Sequence, residues 1–367
     1  MRITRISVYQ VDLPFDRGAY RLSGGRSWEA MDSTIIRIDT DVGIVGWGET
    51  GPFGPNYLEA FARGARAGIG ELAPTLLGQD PSQPGVIYAS MDHNMLGHPY
   101  VKHGIDMACW DILGKLAKQP LYTLFGGILT EFPTTSGWIP TAHGDWMNEV
   151  IASHRADGCT QFSTKASGDP ESDIEFISKL GEIMQAGESV KIDANGGWRL
   201  DQALRVLRAT ENVDAYFEQP CATYEDCRRL RHSCNRPITL DECVLDLDTI
   251  IRAWHEGACD SLNLKIGRVG GLTPALQMRD LCSVLGIPFH VQCAGGSGIT
   301  QAAIVHLAHS TAPDRLLYIW DTGDLASFNT VSNPIPRKDG KMHAHHLPGL
   351  GVDPIETVLG EPVAVYN

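Results

Sequence analysis

Gln161-Phe162-Ser163-Thr164-Lys165 is the first of five short, mostly apolar runs that each end on a residue able to do chemistry. The others are Val190-Lys191-Ile192-Asp193, Ala215-Tyr216-Phe217-Glu218, Ile238-Thr239-Leu240-Asp241 and Leu262-Asn263-Leu264-Lys265. Their closing residues stand 28, 25, 23 and 24 positions apart. A strand plus the helix that returns the chain to the next parallel strand takes about this length. If such units close into a barrel, every strand C-terminus opens on one face, and barrel enzymes carry their chemistry there. Three carboxylates would then converge, with a lysine on either side of them. A lone Asp or Glu after a strand reads as a helix cap or turn former, and a lone Lys as surface. Five such residues in register read as a site. Three converging carboxylates suit one hard cation, and Mg²⁺ takes a few carboxylate oxygens, waters and a substrate oxygen.

Outward from this stretch, residues 1–50 alternate in the antiparallel manner, as in Ile3–Val11 and Thr34–Thr40, with a turn at Asp41-Val42-Gly43. Phe15 to Trp28 has no period and reads as a long functional loop. Residues 57–78 and 99–118 read as helices. Asp106 and Asp111 in the second helix read as an exposed face or local capping. These segments predict an α+β capping domain over residues 1–125.

From there the period changes to strand and helix in turn. Further strands are expected near Thr134–Trp138, Pro288–Gln292 and Leu316–Trp320. Helices are expected near 145–157, 172–186, 200–211, 246–257, 272–285 and 298–309. About eight βα units give a barrel over residues 126–330. A Pro- and Gly-rich tail, 331–367, is expected to pack back on the capping domain. His343, His345 and His346 in that tail read as a solvated loop.

Composition narrows the class. With 367 residues, 43% of them apolar, the chain can fill a large core. Lys plus Arg is 30 against 44 Asp plus Glu, a net charge of −14, which disfavours nucleic acid and anionic membrane as partners. The nine cysteines include no CxxC pair, so neither a disulfide framework nor a zinc site is supported. No signal-like apolar run opens the sequence, and it reads as cytoplasmic. Gly267-Arg268-Val269-Gly270-Gly271 lacks the GxGxxG spacing of a dinucleotide loop. Ala294-Gly295-Gly296-Ser297-Gly298 is either a tight turn or a cradle for a substrate carboxylate at the next helix N-terminus.

A divalent cation on Asp193, Glu218 and Asp241 would attract a substrate carboxylate. Losing the proton next to that carboxylate puts charge on both of its oxygens, and the cation stabilises this enediolate more than the ground state. A lysine can take the proton only when neutral. Burial and neighbouring cations are expected to lower the pKa of Lys165 and Lys265 for that purpose. Lys165 falls on the second barrel strand and Lys265 on the sixth, facing each other across the mouth. Proton removal on one face and return on the other inverts a stereocentre. Removal with loss of a β-hydroxyl is dehydration.

At these residues the chain resembles the enolase superfamily, in its muconate-lactonising-enzyme-like branch. Gly46-Trp47-Gly48-Glu49, Ile192-Asp193-Ala194-Asn195, Phe217-Glu218-Gln219-Pro220, Leu240-Asp241-Glu242 and Asn263-Leu264-Lys265 carry the resemblance over nearly the whole length. It implies a modified TIM barrel, (β/α)₇β, under an N-terminal α+β cap. It also implies one Mg²⁺ on Asp193, Glu218 and Asp241, Lys165 and Lys265 as acid/base pair, a small carboxylate substrate, and a homo-oligomer. Within the branch, His98-Pro99-Tyr100-Val101-Lys102 and Leu347-Pro348-Gly349-Leu350-Gly351 are similar to dehydratases of cis-3-hydroxy-L-proline, and next to epimerases of 4-hydroxyproline betaine. The pattern departs at two places. Ser163 stands where the branch has the first lysine of Lys-x-Lys, and Gln292-Cys293-Ala294-Gly295-Gly296-Ser297 replaces an acidic, Trp-containing stretch.

Specificity is expected from Phe15–Trp28, Gly51–Tyr57 and residues 292–297. Tyr57, Gln292, Cys293, Trp320 and Asp321 are the candidate substrate contacts. Trp320 either holds a methylated nitrogen through a cation–π contact or simply packs the barrel, and Asp321 would pair with a substrate ammonium. A metal-free Schiff-base lyase using Lys265 is a further alternative, but it gives the three carboxylates no role.

Overall fold

A computed structural model describes residues 1–16, 18–140 and 146–367. Arg17 in the expected lid loop and the expected helix start at 145 lie outside the described residues.

The alternating N-terminal segments form an antiparallel sheet of four strands, ordered Ala364–Tyr366, Ile3–Pro14, Ala30–Thr40 and Val45–Thr50. Within the expected Phe15–Trp28 loop, Tyr20–Arg21 and Ser27–Trp28 pair as a small hairpin. Helix Pro99–Ala117 lies flat on the sheet. The approach is so close that a Cβ on Gly46 or Gly48 would collide with the carbonyl oxygens of Ala108 and Gly104.

The second unit is an eight-stranded parallel sheet whose neighbours follow chain order from Ser136–Ile139 to Leu316–Ile319. The last strand returns beside the first: Ile319 N donates to Thr134 O at 2.8 Å. A helix follows each of the first seven strands, which is the (β/α)₇β barrel expected. Phe162, Phe217 and Phe289 fill its centre and walls. Among the described residues no helix is long and apolar enough to cross a membrane.

Among the described residues, two helices longer than one turn were not expected. Tyr224–Ser233 carries only a thin apolar stripe, Tyr224, Cys227 and Leu230, among charged residues. Thr223 starts it by accepting from Asp226 N at 3.1 Å. Pro84–Asn94 opens with proline in its first turn and buries only Pro84, Ile87 and Met91.

The reading of Asp106 and Asp111 as exposed or locally capping is overturned. Both are buried. Helix Pro99–Ala117 is wedged between the sheet and the barrel and has almost no solvent face, so its polar groups need protein partners. Asp111 accepts from Trp47 N and Leu350 N, both at 2.9 Å. Asp106 accepts from Thr273 N at 2.9 Å and Thr273 Oγ1 at 2.6 Å. It thereby caps barrel helix Leu272–Leu285, whose own cap position is Gly271. The tail histidines lie in a loop as expected, exposed at His346 and half-buried at His343 and His345; the His346 ring also bonds the Tyr122 hydroxyl, and His345 bonds Asn333 O at 3.0 Å.

Candidate active site

Strand register builds the site. Lys165, Asp193 and Glu218 are cross-strand neighbours at the C-terminal ends of three adjacent strands. Asp241 directly follows strand Ile238–Leu240, and Lys265 ends Ser261–Lys265 opposite Gln292. Because the sheet is closed, these ends converge. One carboxylate oxygen each from Asp193, Glu218 and Asp241 lies within 4.8 Å of the others. All three side chains are buried.

Four cations balance these acids. Lys165 pairs with Asp193, Lys191 with Glu218, Arg268 with Asp241, and Lys265 with Asp241 at 2.6 Å. Burial, and then the neighbouring Asp193 and Asp241, push the Glu218 carboxyl up to about 7. Burial and the same two acids push Glu242 up to about 8. Burial alone would also raise Asp241, but Arg268 and Lys265 beside it hold it well below the usual carboxylate range.

The lowering expected from sequence counts a bound cation and the second lysine as well as burial; the protein's own carboxylates act against it. Burial is the largest single influence and pulls both lysines down, but Asp193, Tyr20, Tyr57 and Glu218 together hold Lys165 above its ordinary value. Asp241, Glu218 and Glu242 together do the same for Lys265.

Crowded, dehydrated carboxylates of this kind are costly unless cations compensate them. The donor set is all oxygen, is carried on rigid strand ends, and leaves Asn195 Oδ1 and Glu242 Oε2 buried nearby without partners among the described residues. It fits a hard divalent cation.

Above the carboxylates lies a small cavity, partly open to solvent. Lys165 and Lys265 both line it, with Asp193, Glu218 and Lys191 below. The N-terminal region supplies Tyr20, Leu22, Phe53 and Tyr57 as its roof. Tyr20 stacks on Trp138 at 5.2 Å and tilts against Phe53 at 5.0 Å. Of the candidate substrate contacts, Tyr57, Gln292 and Trp320 line this cavity. Cys293 and Asp321 are not among its lining residues. Cys293 turns under the strand end, toward the face of Gly267 that lacks a Cβ. Asp321 accepts from Gly323 N at 2.9 Å and faces Arg337.

The Gly-rich turn Ala294–Gly298 does cradle an anion, but the anion is the protein's own. Glu49 accepts from Ser297 N at 2.9 Å and from Thr300 N at 3.0 Å. It thus caps helix Gly298–His309.

Sequence reasoning missed Lys191 and Arg268. The signal for Lys191 was present: it lies two residues before Asp193 in one strand, hence on the same face.

Two family models match the chain. Residues 21–126 match the mandelate racemase / muconate lactonizing enzyme N-terminal domain, and 146–358 the enolase C-terminal domain-like family. The chain is 42% identical to a cis-3-hydroxy-L-proline dehydratase of Roseibium aggregatum, over 100% of both chains. It is 29% identical to an N-succinyl-L-Arg/Lys racemase of Bacillus cereus, over 98% of each. Among solved structures, an enolase-superfamily member from Roseovarius nubinhibens complexed with magnesium superposes with a TM-score of 0.93, at 40% identity, covering 100% of this chain and 99% of that one. With its capped barrel and its ring of strand-end acids and lysines, the chain belongs to the mandelate racemase/muconate lactonizing enzyme family of the enolase superfamily.

Proposed function

We propose that this enzyme is a hydro-lyase that removes the α-proton of a small carboxylate substrate and expels a β-hydroxyl, with cis-3-hydroxy-L-proline or a close analogue as substrate. One Mg²⁺ would be held by Asp193, Glu218 and Asp241. Lys165 and Lys265 would be the acid/base pair. The observation that carries the reading is that both lysines open into one cavity above the carboxylates. The dehydratase from Roseibium aggregatum, at 42% identity over its full length, supports the substrate class.

The residues' parts follow from where they stand. When bound, the cation supplies electrostatic stabilisation to the charge that develops on the substrate carboxylate. Lys165 and Lys265 come from the second and sixth strands of eight, on opposite sides of the mouth. One takes the α-proton and the other protonates the departing hydroxyl. In a cis-3-hydroxyproline the α-hydrogen and the hydroxyl lie on opposite ring faces, which suits amines on opposite walls. The aromatic roof of Tyr20, Phe53 and Tyr57 keeps water from the reacting carbon.

We take residues 1–125 as the cap that carries this roof, 126–330 as the catalytic barrel and 331–367 as the segment returning to the cap. We take the protein as a cytoplasmic enzyme that acts on small molecules as a homo-oligomer; its net charge of −14 disfavours polyanion partners.

A second reading is a 2-epimerase of proline betaine, 4-hydroxyproline betaine or another N-substituted amino acid. It is favoured by the aromatic lining, Trp138 and Trp320 included, and by Gln292 standing where an ammonium would want a carboxylate. Proton NMR with Mg²⁺ in D₂O, on hydroxyprolines, prolines and their betaines, separates the two. Loss of substrate with a new unsaturated product selects dehydration; deuterium at the α-carbon with inversion and no elimination selects epimerisation. The Schiff-base alternative on Lys265 predicts full activity in EDTA.

A further inference from the structure

We propose that Tyr57 binds the substrate hydroxyl that leaves, which makes the Lys265 wall the acid side of the cavity and Lys165 the base. This rests on the dehydratase reading. The argument is a count of hydrogen-bonding capacity. A phenol oxygen accepts through its lone pairs and donates one O–H. Lys265 Nζ donates to the Tyr57 hydroxyl at 3.0 Å, and Arg268 Nη2 donates to it at 3.4 Å. Neither cation can accept, so the phenolic hydrogen points away from both. Among the described residues it has no acceptor, and Tyr57 lines the cavity.

Gln292, the cross-strand neighbour of Lys265, extends this wall. Its Oε1 is taken by Asn263 Nδ2 at 3.2 Å, which leaves its amide hydrogens to donate. The wall around Lys265 therefore offers an ammonium, a phenol O–H and an amide N–H, all donors. An oxygen that gains negative charge as its bond to carbon breaks requires donors. Across the cavity, Tyr20 stacks on Trp138 and, among the described residues, has no hydrogen bond to either lysine. The position of Tyr57 is fixed from outside the chemistry. Its backbone N–H donates to Gly54 O at 3.1 Å, and its ring meets Phe53 edge-on at 6.3 Å.

The step balances without further reagents. The Lys165 amine takes the α-proton. The released electron pair rests first on the substrate carboxylate as an enediolate, then forms the Cα–Cβ double bond as the Cβ–O bond breaks. The Lys265 ammonium gives its proton to the hydroxyl, which leaves as water. Tyr57 keeps its own proton throughout and only donates a hydrogen bond.

The test compares wild type with Tyr57→Phe and Tyr57→Gln, each with Mg²⁺ and cis-3-hydroxy-L-proline in D₂O, read by NMR at equal conversion. Melting curves establish that each variant is folded. Tyr57→Phe is expected to slow elimination roughly 10²-fold, and its recovered substrate is expected to carry more α-deuterium than that of wild type. Protons removed by Lys165 are then returned before the hydroxyl leaves. Tyr57→Gln restores a donor and is expected to recover about a tenth or more of the lost rate. Unchanged elimination in Tyr57→Phe, or a slowing with no gain of deuterium, overturns the inference while leaving the dehydratase reading in place. Absence of any elimination by wild type overturns both.

Discussion

Lys191 and Ser163 are direct cross-strand partners on the second and third barrel strands, and the Lys191 ammonium pairs with Glu218 below the cavity. An ammonium thus stands in the barrel interior beside the position where the sequence pattern lacks its first lysine. It also lies over the Tyr318 ring, 5.2 Å from its centroid. Lys191→Met would leave the crowded carboxylates short of one compensating charge. A folded variant should melt well below wild type without added cation, a loss of about 3–5 kcal/mol for a broken buried pair. Its stabilisation by Mg²⁺ should exceed that of wild type. Thermal melts with and without Mg²⁺ check both; equal Mg²⁺ shifts would count against the charge balance described.

Lys165→Met and Lys265→Met should each reduce turnover by at least about 10³-fold, since each removes a group that moves a proton in the reaction. Both variants should still bind Mg²⁺. Calorimetric titration alongside steady-state rates separates lost chemistry from lost cation binding.

Removing the cation should abolish activity reversibly. Dialysis against EDTA should leave a folded, silent protein, and added Mg²⁺ should restore it. Asp241→Asn should not be restored. It also strips Arg268 and Lys265 of their carboxylate, so a stability loss of roughly 3–5 kcal/mol is expected. Denaturant unfolding measures that loss.

His306 sets an acid limit. Its Nδ1 faces the N–H of Tyr122 at 3.3 Å and its Nε2 faces Leu350 O at 3.0 Å, so the neutral ring is satisfied at both nitrogens. Protonating Nδ1 would set it against another donor. Burial pushes the ring down to about 3. A group protonated more readily in the unfolded chain stabilises the fold fully above about pH 6.5, and this contribution drains away as pH falls toward its folded value. His306→Asn keeps an acceptor for Tyr122. It should lower the melting temperature at pH 7.5, with the gap to wild type narrowing steadily from about pH 6.5 down to pH 5.

Much of the barrel was legible because five of its eight strands end on or next to a side chain with a job. Lys165, Asp193, Glu218, Asp241 and Lys265 punctuate the sequence at the strand–helix period, and the alternation of the first 50 residues is equally plain. Tyr224–Ser233 was not legible, because its burial rests on three residues in ten and its charges hide the stripe. The bolts between the two units were not legible either. Glu49 caps a helix that begins at Gly298, and Asp106 caps one that begins at Leu272. Nothing local to either acid names a partner so far along the chain. The upward pull on the lysine pKa values was not legible for a related reason. Burial was foreseeable, but the pairing of each ammonium with a carboxylate depended on which oxygen each strand end presents.

The most direct test of the central claim is proton NMR of the purified enzyme with Mg²⁺ and cis-3-hydroxy-L-proline in D₂O, run beside Lys165→Met and Lys265→Met. The account predicts loss of substrate to an unsaturated product with wild type, and no elimination with either variant. Turnover that survives loss of either amine, or that proceeds at full rate in EDTA, would contradict it.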